Sequence, residues 1–343
     1  MRIGIIGAGA VGGTLAALLD RAGHELAVTA RGAHLDAIRE NGIRLDGGWG
    51  EHVARVAAGP VLEGGFELVI LATKAQDSAA ALDANLAALG TAPLLVVQNG
   101  LGGLRVAREH APDSPLLGGL ALMAVSYLEP GRVTVTGGNP LILGAGEGCD
   151  AELLARVAEV MRQALPVEVT RDIVGAQWTK LLINHVNALP AATGLSVQEV
   201  VADDGLRRVM TASMRETVRV ARRIGVRFGA VQGVSGAVLG LIGVAPLSLG
   251  QAFPRLLARR MGEVPNPGST LQSIRRGQLT EIDFLNGAVV SAAAEHGLRA
   301  PINAAIVQLV HEVETAGAFV TPAEVVARVL GQSGSGSTLQ KSA

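Results

Sequence analysis

Apolar residues fall in two rhythms along this chain. In the first part they come as short unbroken runs at 2–6, 25–29, 68–72, 94–97 and 116–125, bounded by glycine, proline or charged residues. Such runs, rich in Val, Ile and Leu, read as strands, and strands without polar alternation suit a parallel sheet covered on both faces. A helical pattern over 11–22 lies between the first two, so the chain opens as strand, turn, helix, strand, the start of a βαβ unit. Ala- and Leu-rich spacers between later runs read as helices. Runs at 133–135 and 141–143, on either side of Gly137-Gly138, predict a hairpin-like end to this region. From about residue 151 apolar positions recur every three or four residues, at 152–165, 172–189, 203–225, 269–296 and 301–315, as in amphipathic helices. The expected architecture is α/β: an N-terminal doubly wound parallel sheet over 1–170, closing on a short strand near 169, then a C-terminal all-helical domain over 171–330. The Gly/Ser-rich stretch 331–343 is expected to be a disordered tail.

Composition narrows the class. At 343 residues and 49% apolar, the chain can build two cores. Twenty-nine basic against 30 acidic residues leave a net charge of -1, which gives no electrostatic footprint for nucleic acid or a membrane surface; a small molecule is the expected partner. The single cysteine, Cys149, cannot pair internally, and Met1 leads into an apolar run without a charged leader, so a reducing cytoplasm is expected. The uncharged stretch 228–254 has the length of a membrane span. It also carries several glycines, Gln232, Ser235, Pro246, Ser248 and Gln251, which lipid would leave unsatisfied. An apolar helical insertion serving as a lid or a subunit contact is the better reading, and a homodimer is the assembly that it suggests.

Gly7-Ala8-Gly9-Ala10-Val11-Gly12 is a G-x-G-x-x-G directly after a strand and opening a helix, the context in which that pattern binds a dinucleotide. Gly7 permits the turn, Gly9 lets a pyrophosphate approach, Gly12 lets helix and strand pack, and the helix N-terminus offers N–H groups to the anion. At the end of the second run, where NAD enzymes place an acid for the ribose, the chain reads Val28-Thr29-Ala30-Arg31. Arg31 suits a 2′-phosphate, and Lys74, after the third run, would reach the same side, so NADP(H) is the expected cofactor. The competing reading of either cation is a solvated surface residue, the usual fate of Arg and Lys. Gln98-Asn99-Gly100 ends the fourth run, where groups facing a ligand crevice stand, although Asn-Gly is also a strong turn dipeptide.

In Gln177-Trp178-Thr179-Lys180-Leu181-Leu182-Ile183-Asn184, the spacing puts Lys180 and Asn184 on one helix face with apolar flanks. A lysine there either snorkels to solvent or is held for proton transfer, its pKa lowered by burial. Ser269 reads as a helix N-cap. Glu281 and Asp283, amid apolar neighbours, need partners, and a helix would turn them to different faces. No metal-ligand pattern emerges.

The ordered set Gly7-x-Gly9-x-x-Gly12, Thr73-Lys74, Gln98-Asn99-Gly100, Trp178-x-Lys180-Leu181-x-x-Asn184, Ser269-x-x-Gln272 and Thr280-Glu281-Ile282-Asp283-x-x-Asn286-Gly287 resembles the ketopantoate reductase (2-dehydropantoate 2-reductase) family over essentially the whole chain. Ala300-Pro301-Ile302-Asn303 resembles that family's closing element. The resemblance implies a Rossmann-type domain followed by a helical catalytic domain, and NADPH-dependent reduction of a 2-oxo acid to a 2-hydroxy acid, foremost 2-dehydropantoate to pantoate in pantothenate biosynthesis. It implies that Lys180 is the general acid and that Glu281 binds substrate or cofactor; in the mechanism expected on that basis, Glu281 holds Lys180 or the nicotinamide ribose in place. Substrate would meet Asn99, Lys180, Asn184 and Ser269. Cofactor would meet Gly7, Ala8, Gly9, Ala10, Val11, Gly12, Arg31, Lys74, Asn99, Ala124 and Glu281. Two departures stand out: the family's second asparagine, four after the one matching Asn184, is here Ala188, with Asn187 one residue early as the substrate-binding candidate, and 228–254 is longer than the usual connection. The competing readings are another two-domain NADP-dependent reductase, acting on imines, opine-type substrates or 3-hydroxy acids, and a non-catalytic NADP(H) sensor.

Overall fold

The computed structural model describes residues 1–331, so the expected disordered tail lies, apart from Gly331, outside the described residues. Two compact units divide after Ile173. The first holds strands β1 (Arg2–Ile6), β2 (Glu25–Thr29), β3 (Ile43–Gly47), β4 (His52–Ala54), β5 (Ala57–Gly59), β6 (Leu68–Leu71), β7 (Leu94–Val97), β8 (Leu116–Ala121), β9 (Ala124–Glu129), β10 (Arg132–Gly137), β11 (Leu141–Ala145) and β12 (Val167–Thr170).

Eight of these form the main sheet in the order β12-β11-β8-β7-β6-β1-β2-β5. All neighbours are parallel except β11, which runs antiparallel to β8. The chain leaves β1 toward β2, then returns to the other side with β6, so the strand order reverses at β1, where doubly wound sheets bind ligands. Alternate strand residues explain why the runs are wholly apolar. Ile3, Ile5, Leu68, Ile70, Leu95, Val97 and Leu117 enter one core cluster, while Ile6, Val69, Leu71, Leu94, Val96 and Leu116 enter another, so both faces are buried. The α/β class with a helical second unit is as expected.

The sequence pattern misplaced some local detail. The run 116–125 breaks at Leu122-Met123: β8 stays in the main sheet, while β9 starts a second, four-stranded sheet ordered β4-β3-β10-β9. The pairs flanking Gly137-Gly138 form no hairpin, because β10 joins the small sheet and β11 the large one. The hairpin of this region is β9–β10, closed at Pro130-Gly131, where Gly131 has the positive φ of +76° that the second central residue of a type II turn needs.

The second unit is helical. Its first helix, Ile173–Asn184, tightens into a 3₁₀ turn, His185–Asn187, before Ala188–Thr193 resumes. Pro190 explains the break, since it has no N–H for the Val186 carbonyl. The expected 269–296 helix is interrupted: Gly268–Arg275 ends near Gly277 at φ +64°, an irregular stretch follows, and Asn286–Glu295 begins anew. Within 228–254 lie short helices, Gly236–Val244 and Leu247–Gly250, with Val238, Leu241, Val244 and Leu249 exposed. No helix among the described residues is long and apolar enough to cross a membrane.

A buried polar knot ties this unit together. Asn303 Oδ1 accepts from Ser213 Oγ (2.8 Å) and Asn286 Nδ2 (2.9 Å), and its Nδ2 donates to Glu216 Oε2 (2.7 Å). The N–H groups of Ile302 and Asn303 also donate to Glu216, which therefore caps the Pro301–Ala316 helix from the neighbouring Asp204–Arg223 helix. Burial nevertheless pushes the Glu216 carboxyl up from its ordinary value. Asn303→Ala strips these partners at once and should lower stability by at least about 2 kcal/mol, read from the denaturant midpoint; a change below about 0.5 kcal/mol would contradict the knot's role.

Candidate active site

In the first unit, the glycine loop turns from β1 into the helix Ala10–Arg21. Its glycines serve different ends. Gly7 sits at φ +98°, and a Cβ there would meet Thr73 atoms from 2.8 Å, while a Cβ on Gly12 would collide with the Gly7 carbonyl. A Cβ on Gly9 would meet nothing within 4 Å. Packing therefore explains Gly7 and Gly12, whereas Gly9 keeps an open approach clear, as a pyrophosphate requires. The first intrahelical bond runs from Gly13 N–H to Gly9 O (2.7 Å), which leaves the N–H groups of Ala10, Val11 and Gly12 without helical acceptors. These residues fit a dinucleotide.

Thr29 braces the loop: its Oγ1 accepts from Gly7 N–H (2.8 Å) and its carbonyl from Ala8 N–H (2.9 Å). Arg31 is exposed and precedes the Gly32–Asn41 helix after β2; partly buried Lys74 follows β6. Both cations therefore stand past the carboxyl ends of the strands on either side of β1. Gln98, read together with Asn99, is a brace: its Nε2 donates to Thr73 O (2.9 Å) and Ser78 Oγ (2.7 Å), joining the ends of β7 and β6. Asn99 is partly exposed beyond β7 and precedes Gly100 at φ +87°. Ala124, exposed, opens β9 in the small sheet.

In the second unit, the Ile173–Asn184 helix is buried after its first turn except at Lys180, Ile183 and Asn184. These are the i, i+3 and i+4 positions of one face. In the 3₁₀ turn that follows, side chains three apart eclipse, so Asn187 lines up with Asn184 and extends the same stripe. The asparagine that stands one residue early in the sequence thus returns to the stripe because the helix tightens there. Asn187 also lies against Gly268, at φ +71°, where a Cβ would strike its Oδ1; this brings it beside Ser269.

Ser269 is not an N-cap. It occupies the first turn of Gly268–Arg275, and the Gly268 N–H is taken by Asn266 Oδ1 (2.9 Å). The Ser269 hydroxyl is exposed and makes no hydrogen bond among the described residues. Glu281 is on an irregular stretch, with its carbonyl accepting from Phe284 N–H (2.9 Å) and Leu285 N–H (3.1 Å). The preceding Thr280 N–H donates to Glu314 Oε1 (2.7 Å), and Asp283 turns to His311 Nε2 (2.9 Å). The two acids do part company, as expected, but through a short 3₁₀ turn, Ile282–Phe284, that Glu281 precedes and that carries Asp283, and not through a long α-helix.

Electrostatics connects Lys180 and Glu281. Desolvation lowers the Lys180 ammonium from its usual 10.5 to about 8, and the Glu281 charge acts in the opposite direction. Lys180, Asn184 and Asn187 are thus gathered on one stripe, Glu281 acts on its cation, and Ser269 approaches through Asn187. Sequence reasoning did not find Thr29 as the loop's brace, although a hydroxyl ending β2 was a usable signal, nor His34, whose partners are distant in sequence.

Residues 3–148 match the model of the ketopantoate reductase PanE/ApbA family, and residues 172–314 match that family's C-terminal model. A 2-dehydropantoate 2-reductase from Mesorhizobium japonicum is 34% identical over 323 residues, 87% of this chain and 91% of that protein. The crystal structure of a PanE/ApbA family ketopantoate reductase from Ralstonia eutropha is 30% identical with a TM-score of 0.78, covering 92% of this chain and 99% of that one. D-mandelate dehydrogenase with NADH and anilino(oxo)acetate shares the fold, with a TM-score of 0.80 at 21% identity and coverage of 92% and 99%.

A lysine held this way destabilises the fold. Its folded pKa lies below the unfolded value, so between about 8 and 10.5 the unfolded chain binds more protons and stability rises with pH; below about 8 the whole penalty stands. Lys180→Met keeps the stem and removes the charge. It should stabilise the protein at pH 7 by on the order of 2 kcal/mol, and the gain should shrink across that pH window in denaturant titrations. A destabilised Met variant at pH 7 would contradict the desolvation.

Proposed function

Because this chain belongs to the ketopantoate reductase PanE/ApbA family and is an oxidoreductase, we propose that it reduces a 2-oxo acid to the 2-hydroxy acid with NADPH, its substrate being 2-dehydropantoate, as in pantothenate biosynthesis. The observation that carries the reading is Lys180: a lysine near the pH at which an amine both keeps and releases its proton, beside Glu281, on the accessible stripe of a buried helix.

The bound nicotinamide supplies the hydride that reduces the carbonyl carbon. Lys180, as ammonium, donates a proton to the oxygen that becomes the hydroxyl and stabilises negative charge developing there. Glu281 keeps enough of the lysine protonated at neutral pH to act as an acid. Asn99, Asn184, Asn187 and Ser269 offer neutral donors and acceptors that orient the carboxylate and hydroxyl groups of the substrate. That polar set favours a hydroxylated 2-oxo acid such as 2-dehydropantoate, whose hydroxyl can exchange hydrogen bonds with it, over an aryl one, whose ring cannot. The loop 7–12 holds the pyrophosphate, and Arg31 and Lys74 favour the 2′-phosphate of NADP(H). A non-catalytic sensor has no use for a desolvated lysine that destabilises its own fold.

Two measurements test this. Consumption of NADPH, followed by its absorbance across a panel of 2-oxo acids, should be fastest with 2-dehydropantoate, and Lys180→Ala should lower kcat by about two to four decades with NADPH affinity nearly unchanged. Turnover unchanged in that variant would sink the mechanism. Arg31→Glu should shift the preference from NADPH toward NADH by at least about tenfold, since it puts a like charge where the phosphate is held; an unmoved preference would remove Arg31 from the cofactor site.

A further inference from the structure

The imidazole of His34 touches the loop that the proposed function assigns to the dinucleotide, and it is tied at both nitrogens. Its Nε2 lies 2.7 Å from the Ala8 carbonyl, and its Nδ1 accepts from the Gly131 N–H at 3.0 Å. A carbonyl only accepts and a backbone N–H only donates, so Nε2 carries the hydrogen and Nδ1 offers its lone pair. One neutral tautomer satisfies both bonds. The ring is further fixed by an edge-to-face contact with Tyr127, at 4.6 Å between centroids and 62° between planes. Gly131 presents its N–H from the tight turn between β9 and β10, and a side chain there would press within 3.2 Å of Ala37 Cβ.

The effect on the loop follows from the planarity of one peptide. The Ala8 carbonyl and the Gly9 N–H belong to the same trans amide, so they point in opposite directions. Holding the carbonyl toward His34 turns the Gly9 N–H the other way, at the residue whose missing side chain keeps an approach open. Thr29 meanwhile engages the N–H groups of Gly7 and Ala8, leaving their orientation settled. His34 sits three residues after Arg31, in the first turn of the same helix, so one short segment carries both the pin and the candidate phosphate contact.

Resting on the reading of this loop as a dinucleotide site, we propose that His34 is a positioning residue for the cofactor: it fixes the Ala8–Gly9 peptide with its N–H toward the pyrophosphate and anchors the loop to the β9–β10 turn. It touches no reacting atom, so its loss should weaken cofactor binding without slowing the chemistry. NADPH binding followed by the fluorescence of the reduced nicotinamide reads this directly, apart from turnover. His34→Leu should raise the Kd and the KM for NADPH by about tenfold, while kcat at saturating NADPH and the KM for the oxo acid stay within about twofold. His34→Gln, whose amide Nε2 can still donate to the Ala8 carbonyl, should recover most of the affinity; a merely structural histidine would not be rescued in this parameter alone. A Leu variant that binds NADPH within twofold of the unaltered protein, or one that loses kcat instead of affinity, overturns the inference while the proposed function stands. Failure of the unaltered protein to bind either NADPH or NADH would overturn both.

Discussion

A lysine ammonium partly withdrawn from water, on the accessible stripe of a buried helix, is the constraint around which the proposed chemistry turns. Desolvation alone would leave Lys180 neutral too readily to donate a proton; the Glu281 charge works against that loss, and about 8 is the balance between them. The balance needs both groups fixed. Lys180 is fixed by a helix whose flanks, Trp178, Leu181 and Leu182, are buried. Glu281, at the start of the short 3₁₀ turn Ile282–Phe284, is fixed by its neighbours: Thr280 N–H on Glu314, Asp283 on His311, and His311 Nδ1 on Glu314 Oε2 at 2.9 Å. Beyond these, the knot of Asn286, Asn303, Ser213 and Glu216 fastens the helices that begin just after the acidic stretch to the long Asp204–Arg223 helix. Several motif positions that look chemical in the sequence are therefore polar ties inside the core.

Under the proposed function the first unit meets a different demand, that of presenting backbone N–H groups without helical acceptors to an anion while keeping the loop that carries them from relaxing. Gly7 and Gly12 allow the close packing, Gly9 leaves the approach clear, and Thr29 and His34 hold the peptides between them. Preorganisation of this kind is what converts a glycine-rich loop, flexible by composition, into a binding site.

Much of this was legible in the sequence where the signal is local. The glycine loop follows a strand and opens a helix within a dozen residues, and the Lys180–Asn184 spacing is a helix repeat in itself. The unbroken strand runs announced a sheet buried on both faces. What escaped depended on distant partners or on small departures from regular geometry. Strands β3 to β5 have only three to five residues, too few to show a period. The run 116–125 is one apolar stretch but serves two sheets. Ser269 has the composition of a cap, yet Asn266 takes that task. Asn187 looked displaced until the 3₁₀ turn, forced by Pro190 downstream, brought it back over Asn184. His34 has no local signature, because its partners are 26 and 97 residues away.

The most direct test of the central claim is the pH dependence of kcat/KM for the 2-oxo acid, at saturating NADPH, in the unaltered enzyme and in Glu281→Gln. With Lys180 as the acid, the rate should fall as pH rises through about 8, and the neutral glutamine should move that fall to lower pH by withdrawing the charge that supports the ammonium. A rate that stays level from pH 7 to about 10, or a fall that Glu281→Gln leaves in place, would contradict the account.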